Sequence, residues 1–157
     1  MSHFILHKHY FDCIDDHGHA LIAYAAELSL PGVRLPYAAA MQHGGDGILH
    51  EQGYLKRARL ETDAALAHTQ LTHSQLALDG TWQAQAAACP PQDLLALAQA
   101  GGNGKQVIWH AHTPKARVNG NYRGQPFAGW GYAETLTLTL PPWRLPLDEL
   151  YWGRFIS

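Results

Sequence analysis

Trp130–Leu140, WGYAETLTLTL, restricts the fold more than any other stretch, because its alternation is that of a β-strand. Trp130, Tyr132, Glu134, Leu136, Leu138 and Leu140 fall on one face, and Gly131, Ala133, Thr135, Thr137 and Thr139 on the other. One face is thus large and apolar apart from a phenol and a carboxylate. Burying a carboxylate among leucines is costly unless it is paired or kept protonated. Glu134 is therefore the first candidate for a functional residue.

Similar signals recur along the chain. Phe4–Asp12 and His19–Leu30 read as strands joined by the turn Asp15-Asp16-His17-Gly18. Val33–Met41 reads as extended, and His43–Gly47 as a loop. Tyr54–Asp63 and Ala65–Leu78 read as two further strands. Asp79-Gly80 reads as a hairpin turn into Thr81–Ala87. Pro90–Ala100 has Pro91 in its first turn, an apolar stripe of Leu94, Leu95, Leu97 and Ala98, and a Gly101-Gly102 stop, and predicts the one helix. Lys105–Thr113 is another strand, Pro114–Gly129 a polar, Gly-rich connection, and Glu149–Ile156 a last strand. About eight or nine short strands with one short helix predict an all-β fold, an antiparallel barrel or a barrel-like sandwich.

The 157 residues suffice for a single domain, 1–157, with a core of its own, and 46% hydrophobic residues argue against disorder. The net charge of −2 and the absence of any Lys/Arg run argue against nucleic-acid binding. The apolar runs are too short for a transmembrane helix. The N-terminus lacks the basic and apolar regions of a signal peptide. Cys13 and Cys89 form neither a disulfide framework nor a C-x-x-C motif, so a reducing, cytoplasmic setting is expected.

Eleven histidines are present, and two of them stand out. In Val107–Thr113, VIWHAHT, the alternation puts Ile108, His110 and His112 on one face, with the imidazoles about 6–7 Å apart along the strand. Sequential strands are usually neighbours. Beside Trp130–Leu140, His110 or His112 would then reach Glu134 or Tyr132, an acid–base site in outline. The plainer alternative is a buried Glu–His pair that satisfies itself. A metal held by His110, His112 and Glu134 is a third reading, although the spacing is not that of a cupin. His3, His7 and His9 share a face of the first strand, read as an exposed or half-buried polar face. Trp109, Trp130 and Trp152 are among the aromatics that would fill a small barrel or line a pocket for an apolar ligand.

Several segments together resemble a known family. They are His9–Asp12 (HYFD) with its DxxG turn and the return strand ALIAY, His110-Ala-His112, Gly131-Tyr132-Ala-Glu134, Pro142-Trp143 and Trp152-Gly153-Arg154-Phe155. They are similar to the N-terminal part of the carotenoid 1,2-hydratase (hydroxyneurosporene synthase) and AttH-like family, calycin-type proteins distantly related to tocopherol cyclase and some pericyclases. The resemblance implies a lipocalin-like barrel and proton-initiated hydration or cyclisation of an isoprenoid or polyene-like substrate, with no cofactor. In the hydratases a His-x-Trp and a Tyr-x-Asp pair are implicated. Here His110 and Tyr132 match, Glu134 stands for the Asp and His112 for the Trp. The implied roles are Glu134 as general acid, His110 tuning or shuttling the proton and Tyr132 orienting it, with His112, Trp109, Trp130 and Trp152 against the substrate. The family commonly has two barrels in tandem and this chain has material for one. A homodimer or a second-barrel partner is therefore an expectation. A non-catalytic carrier of a lipophilic small molecule is the competing class.

Overall fold

The computed structural model describes residues 4–44, 47, 49–98 and 104–146. Its frame starts with the hairpin of β1 (Ile5–Ile14) and β2 (Ala20–Leu30), in which Phe11 lies opposite Ala23. The carboxylate of Asp15 closes the turn by accepting from the backbone N–H groups of His17 (2.8 Å) and His19 (2.9 Å), and Gly18 supplies the positive φ of 81°. There follow β3 (Val33–His43), β4 (Leu49–Tyr54), β5 (Arg59–Thr62), β6 (His68–His73), β7 (Leu78–Ala84), β8 (Gln92–Asp93), α1 (Leu94–Leu97), β9 (Val107–Tyr122) and β10 (Gln125–Leu138). A 3-10 turn spans Pro142–Arg144. The sheet order is β4-β3-β2-β1-β10-β9-β7-β6-β5, with β8 on β9 and every pairing antiparallel. The expected all-β architecture with one short helix is present among the described residues, as a curled half-barrel.

The curl is held by one side chain. Trp82 on β7 is fully buried, and its indole N–H donates to the carbonyl of Asp12 on β1 at 2.7 Å, across the intervening β9 and β10. Its ring lies 4.8 Å from that of Phe11. Gly131 makes room, since a Cβ there would sit 2.2 Å from Asp12 O and 3.1 Å from the Trp82 indole nitrogen. Alanines at 23, 25, 38, 40, 116 and 133 pave the rest of this concave face, so a tight curl is filled by a few large side chains. A second, smaller core lies on the outer face, where Leu95 of α1 meets Phe4, Val107, Leu138 and Leu140.

Several boundaries differ from the sequence reading. Pro114–Gly129 is not a connection: β9 runs on to Tyr122 and turns at Arg123-Gly124 into β10. Pro114 is tolerated because β9 bulges there, the four residues Thr113 to Ala116 facing the three from Ala133 to Gly131. Asp79-Gly80 is not a turn but lies within β7, and the turn is at residues 74–77, where Ala77 donates to the Ser74 carbonyl. Of the expected strand Tyr54–Asp63, only Arg59–Thr62 forms a strand of its own, β5, and Tyr54 is the last residue of β4. The helix is four residues long because Gln92 and Asp93 pair with β9, after which Asp93 caps α1 through Leu95 N (3.1 Å) and Ala96 N (3.5 Å). The expected strand Glu149–Ile156, Trp152 and His3 lie outside the described residues.

Candidate functional site

The two faces of the half-barrel divide the sequence-predicted residues between them. On β10, Thr135 lies opposite His110 and Leu136 opposite Trp109. Glu134 shares the outer face with Leu136, so it meets Trp109, while His110 faces the concave side with Thr135. The expected meeting of His110 or His112 with Glu134 and Tyr132 does not form. Each strand's alternation is as read, but pairing register decides which faces coincide, and alternation alone does not give register. For the same reason His110, His112 and Glu134 do not form a metal triad. Among the described residues no group of three or more His, Cys, Asp or Glu side chains is placed to hold a metal ion.

The outer-face acid is a satisfied acceptor. The Glu134 carboxylate accepts from the Tyr132 hydroxyl at 2.6 Å and from the Trp109 indole N–H. Tyr132 is buried, and its phenol is pushed well above the usual range by burial, then by its bond to Glu134 and the charges of Glu134 and Asp12. Its ring packs at 6.2 Å against Tyr10, which packs at 5.5 Å against Tyr24. Lys8 Nζ lies 4.0 Å from the centre of the Tyr24 ring, and burial lowers its pKa against the opposing pull of Glu134. Trp130 is stacked under cations, with the Arg117 guanidinium 3.6 Å and Lys115 Nζ 4.9 Å from its ring centre.

The concave face carries the histidines. The rings of His7 and His9 on β1 are 4.6 Å apart, and those of His110 and His112 on β9 are 5.9 Å apart. His7 is hydrogen-bonded to Thr137 (2.8 Å) and His112 to Thr113 (3.0 Å). Burial depresses His9 to about 4, helped by the neighbouring His7 and His112. Burial also depresses His112 to about 4, helped by His110. Both imidazoles are neutral at pH 7. His9 Nδ1 is buried with no hydrogen-bond partner among the described residues.

His112 borders a cavity of about 520 Å³ lined mainly by alanines of residues 65–67 and 84–88, and two others lie beside His9. One of about 620 Å³ is lined by Ile5, Ala25, Ala58 and Leu60, with His7 and His9 on its wall and Glu27, Arg57 and Arg59 along its edge. The other, about 120 Å³, is lined by His9, Leu60, Thr62, Leu66, His110, His112 and Thr135. His9 and Leu60 belong to both. Glu134, Tyr132, Trp109 and Trp130 line neither. His9 escaped the sequence reading as part of a polar terminal face. The usable signal was Phe11 and Cys13, which continue the His7–His9 face straight into the buried core.

This architecture, a curled antiparallel sheet with a concave cavity, is the AttH-like, calycin-type fold. A solved structure from Nitrosomonas europaea, provisionally called AttH, superposes with a TM-score of 0.56 at 10% identity, over 87% of this chain and 51% of that one. At that identity the likeness is one of fold, and this chain spans about half the length of that protein. No family model matches the chain, and no curated protein matches it.

Proposed function

We propose that the chain binds an apolar small molecule in the concave cavity beside His7 and His9. The observation that carries this reading is the cavity itself. Its volume of about 620 Å³ lies in the range of small-molecule sites, and aliphatic Ile5, Ala25, Ala26, Ala58 and Leu60 share its lining with two imidazoles, Ser29 and the charged Glu27, Arg57 and Arg59. A chain with only two cysteines, Cys13 buried and Cys89 half-buried, and no C-x-x-C motif fits a cytoplasmic location. Native mass spectrometry of the purified chain tests the reading. A co-purified lipid or pigment, or stoichiometric uptake of an added lipophilic dye, supports it. Absence of both under conditions that preserve the fold contradicts it.

A second reading keeps proton-initiated hydration or cyclisation. It is favoured by the Tyr132–Glu134–Trp109 network. In it Glu134 and Tyr132 act from the outer face, without His110, against a substrate enclosed by a second barrel or a second copy of the chain. Its test is Glu134→Gln in an assembly that turns over a polyene. Unchanged turnover removes Glu134 as the acid.

A further inference from the structure

The 620 Å³ cavity lies between two ends of the sheet order. Ile5, Ala25 and Glu27 of β1 and β2 form one side, and residues 57–60, which lead into β5 at the far edge of the sheet, form the other. The Arg57–Glu27 ion pair joins the two sides. Arg59 also lines the cavity, but its carboxylate partner Glu61 does not. The lining thus carries two guanidinium groups against one carboxylate. His9 is neutral at pH 7, and protonation of His7, the other imidazole of the lining, can only add positive charge. Arg59 directs its Nε and Nη2 to a single oxygen, Oε1 of Glu61, and its Nη1 makes no hydrogen bond among the described residues. Its side chain is 76% exposed and that of Glu61 52%, so water screens their pair.

We infer that the cavity takes an amphipathic monoanion, its aliphatic body against Ala25, Ala58 and Leu60 and its carboxylate head at the rim on Arg59. The inference rests on the cavity reading above and adds the charge of the ligand. A guanidinium presents five N–H donors in a planar fork, and Glu61 takes one side of that of Arg59, so Nη1 is left to receive a second carboxylate. An ammonium head would meet two guanidinium groups, and a neutral head would gain nothing from the excess charge. Glu27 holds Arg57 and repels an anionic head. Because the rim is exposed, the head contributes no more than an ion pair in water does, and its contribution falls with salt.

The test is displacement of the neutral dye N-phenyl-1-naphthylamine from the intact chain at pH 8 and low salt by decanoate, 1-decanol and decylammonium. These probes share a chain length and differ in the head. Decanoate is expected to displace the dye at about fivefold lower concentration than decanol, the worth of one exposed ion pair, and decylammonium at higher concentration than either. The preference for decanoate is expected to vanish in about 1 M salt. Arg59→Gln is expected to bind the dye and lose the preference. Glu27→Gln, which removes the like charge, is expected to strengthen it. Equal displacement by decanoate and decanol, strongest displacement by decylammonium, or a preference that salt leaves unchanged overturns the inference and leaves the cavity reading standing. So does a folded Arg59→Gln that keeps the preference or, should that variant not fold, a Glu27→Gln that binds decanoate more weakly. Failure of the folded wild-type chain to bind the dye or any probe overturns both.

Discussion

His110 and Glu134 sit on adjacent strands and on opposite faces of the sheet. His110 is level with Thr135 on the concave side, while the Glu134 carboxylate accepts from Trp109 and Tyr132 on the outer side. One residue of separation along β9, from Trp109 to His110, decides which chemistry each face holds. The acid and the imidazoles are therefore two sites, each with its own measurable consequences.

The outer network is expected to be energetically coupled. Removing the phenol leaves Glu134 short of a donor, so Tyr132→Phe and Glu134→Gln are each expected to destabilise by about 1–2 kcal/mol, and the pair by less than the sum. Urea unfolding of the two single variants and the double variant measures this. Strict additivity would show that the hydrogen bond contributes nothing.

Stability is expected to fall in acid because of the concave histidines. His9 and His112 titrate near 4 when folded and near the ordinary value of 6.5 when unfolded. Between those values the unfolded chain binds more protons. The stabilisation from neutral imidazoles is thus complete above about pH 6.5, declines as the pH falls through the window, and is gone below about 4. Each unit of depression corresponds to about 1.4 kcal/mol at most, reduced where solvent reaches the ring. Thermal unfolding at pH 5 and pH 7.5 reads the slope, which His9→Phe should make shallower. An identical slope in that variant would remove His9 as its source.

Gly131 is expected to be intolerant of a side chain. An alanine Cβ would stand 2.2 Å from the Asp12 carbonyl oxygen and 2.4 Å from Val118 Cγ2, so backbone would have to move. Gly131→Ala should cost about 1–3 kcal/mol, and Trp82→Phe, which also leaves the Asp12 carbonyl without its indole donor, about 2–4 kcal/mol. Chemical denaturation of each variant checks the values. A Gly131→Ala protein of wild-type stability would contradict the close approach that holds the curl.

Much of the fold was legible because alternation survives in a strand whatever it pairs with. The Leu/Thr alternation of β10 and the hairpin signals around Asp15 and Gly18 were sufficient for those elements. Pro114, Gly120 and Gly124 hid the hairpin of β9 and β10, since each ordinarily marks a loop. In fact Pro114 sits in a bulge, Gly120 is where a Cβ would stand 2.3 Å from Asp79 O, and Gly124 is the turn. The site was legible only strand by strand. Ile108, His110 and His112 share a face, as do Tyr132 and Glu134, but the register that sets those faces apart is fixed by pairing between strands.

The most direct test of the central claim, that ligand binds among the concave imidazoles and not at the Glu134 face, is one nitrogen–proton correlation spectrum. Assigned imidazole and indole resonances are followed while N-phenyl-1-naphthylamine is titrated to saturation. The expected result is a shift of the His7 and His9 ring signals with the Trp109 and Trp130 indole N–H signals unmoved. Shifts at Trp109 and Trp130 with His7 and His9 unmoved would contradict it.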